Sequence, residues 1–162
     1  MDKVNWPVRI AAFCAYASGV VSVFGIIFLI AFFGVGASTG RLNDIAVIVQ
    51  YFLMLPIAIA LYQILREFNP RLNLVALLIG IPGMLAVIIL QILLVTGVMP
   101  FSVQILPVIV AFLVVLIWFI MVGYLGRSTE RLPKSMLLHV LAGLYIGYPI
   151  WAFSLARRLR SA

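Results

Sequence analysis

The stretch from Ile105 to Leu125, ILPVIVAFLVVLIWFIMVGYL, decides the fold. It carries no charged side chain. As a helix rising about 1.5 Å per residue it reaches across the ~30 Å of a bilayer's hydrocarbon. A barrel strand would instead alternate polar and apolar residues over about ten positions, and nothing here alternates that way.

Working outward, the same reading applies to four more runs. They extend from about Ile10 to Val35, Ile45 to Leu65, Leu72 to Val98 and Met136 to Leu155. The expectation is an all-α integral membrane bundle of about five antiparallel transmembrane helices, forming a single domain over residues 1–162. Composition agrees. Of 162 residues, 66% are hydrophobic and 9% are charged, against roughly 25% charged in a soluble domain. The spans leave no room for a soluble domain, so any function sits among the helices or in short loops. The run from Ile10 to Phe33 is too long for the apolar region of a signal peptide, and reads as a retained first span.

The connections are short, which makes neighbouring helices antiparallel. Ser38 to Asp44 reads as a loop in which Asn43 or Asp44 caps the second span. Arg66 to Arg71, Gly97 to Gln104 and Arg127 to Lys134 are the other connections. With five crossings, one side holds Lys3, Arg9, Arg66, Arg71, Arg127, Arg131 and Lys134. The other holds Arg41, Arg157, Arg158 and Arg160. The excess of basic residues places the N-terminus in the cytoplasm and the C-terminus outside, although an arginine-rich tail suits the inside better. The net charge of +7 is then topology and lipid attraction, not nucleic-acid binding. Arg66, Arg71, Arg127, Arg131 and Lys134 are the candidate contacts for anionic lipid. Trp6, Tyr124 and Trp151 read as interfacial anchors, and Trp118 as packing.

Lipid tails are as apolar as leucine, so small residues mark where helix backbones approach. Ala12, Ala15, Gly19 and Ser22 form one stripe; Gly143 and Gly147 form a GxxxG pair; Gly80 and Gly83 sit together. Packing within the chain is the plain reading, and a homo-oligomer or partner interface the functional one. Pro56, Pro82 and Pro149 fall inside spans, where proline removes a helical hydrogen bond. A faint repeat pairs Pro70-Arg71 with Pro133-Lys134, and Gly80 with Gly143, ten residues after each proline.

The span centres hold no Lys, Arg, Asp or Glu, which argues against proton relays and ion-coupled pumps. Asp44, Gln50, Tyr51 and Gln91 gather toward the outer half and form a candidate polar pocket. Asp44, Tyr51, Ala58 and Tyr62 share one face of the second span. His139 is the one histidine; a metal-bound pigment is its functional reading and an interfacial hydrogen bond its plain one. Cys14 reads as a buried small hydrophobe. No nucleophile elbow, HExxH, Walker loop or cysteine cluster occurs, so neither an enzyme nor a cofactor is expected.

Gly126-Arg127, Arg131-Leu132-Pro133, Tyr148-Pro149-Ile150-Trp151 and Arg157-Arg158-Leu159 together resemble a group of uncharacterised bacterial multi-pass membrane proteins, a membrane domain of unknown function. The resemblance covers mainly the last two spans. It implies a bacterial cytoplasmic membrane, and members with about six spans. It transfers no activity and no site residues. Two function classes follow: a non-enzymatic accessory or structural subunit of a membrane complex, or a small carrier or ligand-binding membrane protein using the outward-facing polar pocket.

Overall fold

A computed structural model describes residues 6–127 and 147–161. Five helices occupy them: α1 (Trp6–Val35), α2 (Ala37–Leu65), α3 (Pro70–Val95), α4 (Phe101–Arg127) and α5 (Gly147–Ser161). The first four contain stretches long and apolar enough to cross a membrane. Their lipid side is a belt of exposed large hydrophobics, among them Phe13, Phe24, Phe33, Leu78, Leu106 and Leu113. In water such a belt would aggregate; in hydrocarbon it is the solvated face. The start of the expected fifth span, from Met136 to Ile146, lies outside the described residues, as do His139, Gly143, Arg131 and Lys134.

The chain packs in sequence order, α1 on α2, α2 on α3 and α3 on α4, with α5 against α1. α1 reverses into α2 at Gly36, whose φ of +107° is a conformation side-chain-bearing residues rarely adopt. The loop expected from Ser38 to Asp44 is therefore wrong: α2 begins at Ala37. Its first turn is closed by the Thr39 backbone N–H and hydroxyl, which both donate to the Gly36 carbonyl, at 3.2 and 2.8 Å. Gly36 does the reversing alone, so the polar residues after it need not be a loop. Asn43 and Asp44 lie inside the helix and do not cap it.

The second reversal is read more simply. The Asn69 side chain accepts from Leu72 N–H at 3.0 Å, and Pro70 starts α3 where its missing N–H costs nothing. α3 stops at Gly97, φ +76°, with Gly97 and Met99 N–H returning to the Leu94 and Leu93 carbonyls.

α1 starts, α2 ends, α3 starts and α4 ends at one end of the bundle, here called the proximal end. α5 also finishes toward it. A Cβ on Gly19 would touch Ala152 and Phe153, whereas Tyr16, one turn closer to the start of α1, meets Phe153 and Arg160. Moving forward along α5 thus moves backward along α1, so α5 is antiparallel to α1 and parallel to α4. This corrects the alternating five-crossing plan, which put the arginine tail opposite the start of the chain. Among the described residues, Arg9, Arg66, Arg71, Arg127, Arg157, Arg158 and Arg160 belong to the proximal end, and Arg41 alone to the distal end.

Candidate functional site

Among the described residues, several polar side chains inside the bundle are paired with one another or with backbone carbonyls. Near the distal end, Gln104 on α4 is 1% exposed and donates to the Gln91 side-chain oxygen at 3.1 Å and the Leu90 carbonyl at 3.2 Å. Two buried amides cost less paired than alone in hydrocarbon. Arg41 on α2 donates to the Val95 carbonyl at 3.1 Å, the last residue of α3, where a cation also complements the helix dipole. Asn43 is buried; its side chain hydrogen-bonds the half-buried Asp44, and its own carbonyl oxygen has no partner beside Gly25.

Of the four residues expected to form a polar pocket, Gln91 faces Gln104 in the α3–α4 contact. Tyr51 is buried with its ring against Phe112, centroids 5.8 Å apart. Gln50 is half-buried on α2. Ala58 shares the buried face of Tyr51, as the seven-residue spacing required. The sequence reading missed the role of Gln104, which sits one turn into α4 rather than at the end of a loop. The signal was its pairing with Gln91 across an antiparallel hairpin, thirteen residues apart.

The centre of the bundle holds a second arrangement that sequence reading missed. Tyr148 on α5 is buried and donates its hydroxyl to Ser18 Oγ on α1 at 2.8 Å. Ser18 in turn donates to the Ala15 carbonyl at 3.0 Å. Phe119 on α4 meets Tyr148 and Trp151 edge-on, at 6.0 and 5.0 Å between centroids. These rings close the bundle between α4 and α5, whose backbones do not approach. Trp151 is 1% exposed, with its indole N–H unpartnered, so it is a packing residue and not the interfacial anchor expected. Large rings at the junction of three helices fill space that small side chains would leave open.

The small residues expected to mark close packing are placed within the chain. Ala15, Ser22 and Gly147 are buried, and Gly19 receives Phe153 and Ala152. On α3, a Cβ at Gly80 would strike the Trp118 indole, 2.6 Å from Cγ, and one at Gly83 would lie 2.9 Å from Val114 Cγ1. Near the proximal end, Asn73 is buried and donates to the Tyr62 carbonyl at 2.6 Å, tying α2 to α3. Arg66, Arg71 and Arg127 are exposed there, and Tyr124 is exposed one turn before Arg127. Of the in-span prolines, Pro56 and Pro82 lie inside α2 and α3, joined by Pro107 in α4, which was not counted. Pro149 is in α5.

A cavity with a volume near 720 Å³ opens sideways between α3 and α4. Its walls are apolar: Pro82, Gly83 and Ala86 on one helix, Pro107, Val110 and Ala111 on the other. No group of three or more metal-ligating side chains gathers among the described residues. Such a fold, with four long apolar helices and a belt of exposed hydrophobic side chains, fits a multi-pass α-helical membrane protein. No family model, curated protein or solved structure matches the chain.

Proposed function

We propose that this chain is a non-enzymatic accessory or structural subunit of a membrane complex, and that it engages its partner's transmembrane helix along the α3–α4 groove. The groove carries this reading. It opens sideways from the bundle, its walls are apolar, and the half-buried Ala86 among them lets another backbone come close. The interior, by contrast, spends its polar groups on itself. Gln91 and Tyr51 serve a carried ligand only by exchanging the Gln104 and Phe112 contacts, which weighs against the carrier reading.

The seven arginines near the proximal end favour that end as the cytoplasmic face of a bacterial inner membrane, with the N-terminus and the end of α5 both inside. The earlier tension over the arginine tail then disappears. The resemblance to uncharacterised bacterial multi-pass proteins is part of the same proposal.

A photocrosslinking residue at Val110 in the groove, compared with one at Phe24, tests the partner. Both positions are about half exposed, at 51% and 52%, but only Val110 lines the groove. In native membranes Val110 is expected to give one discrete protein adduct and Phe24 none. Lipid adducts alone, or the same pattern from both positions, would overturn the proposal.

A further inference from the structure

The last helix places Phe153, Ala156, Arg157 and Arg160 at spacings of three and four, hence on one face. That face meets Tyr16 of α1. The Arg160 guanidinium carbon lies 5.7 Å from the Tyr16 ring centroid, and the Tyr16 and Phe153 rings meet edge to face at 5.4 Å. Between them is a cleft of about 140 Å³ walled by Tyr16, Phe153, Ala156, Arg157 and Arg160.

We propose that this cleft seats the phosphate of an anionic phospholipid. Charge is the first reason. Two guanidinium groups border the cleft, and the only acids among the described residues, Asp44 and Glu67, lie on α2 and just after it. α5 packs on α1, which carries no acid. The Tyr16 ring face offsets part of one charge. An arginine fork matches two phosphate oxygens at once, which a ring face cannot do.

Depth is the second reason. Tyr16 is ten residues beyond the start of α1, about 15 Å along the helix axis. A cation held over it sits inward of the helix end, where an uncompensated charge is costly and a lipid phosphate drawn toward it is the available counter-ion. The surroundings also suit the rest of a lipid. Phe13 stands one turn from Tyr16 and is 65% exposed, and Ile150 stands one turn from Phe153 and is exposed. Acyl chains have apolar surface on either side of the cleft. The site is separate from Arg66, Arg71 and Arg127, which belong to other helices.

The test is native mass spectrometry of the full chain released from nanodiscs containing equal phosphatidylglycerol and phosphatidylcholine. The wild-type chain is expected to retain phosphatidylglycerol selectively. The R157Q/R160Q variant should lose that retention by about tenfold, while R41Q, at the distal end, keeps it. Equal retention of the two lipids by the wild-type chain would overturn the proposal, whether or not the variant folds. Undiminished retention by R157Q/R160Q would overturn it as well. Displacement of the lipid by millimolar inorganic phosphate would assign the cleft to a soluble anion and overturn the lipid assignment.

Discussion

The α3–α4 and α1–α5 contacts solve the same problem differently. Helices in lipid gain little from burying apolar surface against each other, so they are held by close packing or by hydrogen bonds. α3 and α4 use close packing. Gly80 gives its whole side-chain volume to Trp118, Gly83 does the same for Val114, and the Gln91–Gln104 pair pins the distal end. α1 and α5 meet through a different mix of groups. Gly19 takes the edge of Phe153, Tyr148 bonds Ser18, and two arginines stand at the rim. The first contact is set by shape and tolerates no added atom. The second rests on groups that have other options, since Ser18 already bonds the Ala15 carbonyl.

This contrast ranks three substitutions, each read as thermal unfolding in a mild detergent. Gly80→Ala has the largest effect: the added methyl meets an indole, and overpacking of this kind costs about 3 kcal/mol. Trp118→Val in the same chain should recover part of the loss, because the clash has a single partner. Strictly additive losses would show that shape does not hold this pair.

Gln104→Leu comes next. It removes two hydrogen bonds and leaves the buried Gln91 oxygen without its donor, for a cost of about 1–2 kcal/mol. If Gln91→Leu in the same chain restores stability, the amide pair acts as a unit. If it does not, the pairing with Leu90 is what matters.

Tyr148→Phe is the smallest. Interhelical hydrogen bonds in membranes average ~0.6 kcal/mol, and the variant keeps the ring contacts with Phe119 and Trp151. A loss exceeding that of Gly80→Ala would invert the comparison and make the central hydroxyl pair the main lock of the bundle.

Much of the architecture was legible beforehand. The four long spans follow from apolar length alone, and Gly80, Gly19, Ala15 and Trp118 were readable as packing because small or bulky residues inside a span have few other uses. Pro70 and Asn69 marked the start of α3 by local chemistry. The misreadings share a cause. Ser38 to Asp44 looked like a loop because polar residues near a span end usually are one, yet one glycine made the turn. Trp151 looked like an anchor because tryptophan favours interfaces, yet a junction of three helices needed a large ring.

Sequence by itself determined that the chain is helical and built for lipid, because an apolar stretch of twenty residues must satisfy its backbone internally and has no other way to cross hydrocarbon. It also determined which residues are chemically able to pair. Tertiary structure decided the pairing: Gln91 with Gln104, Tyr148 with Ser18, and the direction of α5, which carries the arginines back to the end where α1 begins. Those outcomes depend on which helices become neighbours and at what height. An apolar sequence encodes that weakly, because every apolar face fits lipid and its neighbours about equally well.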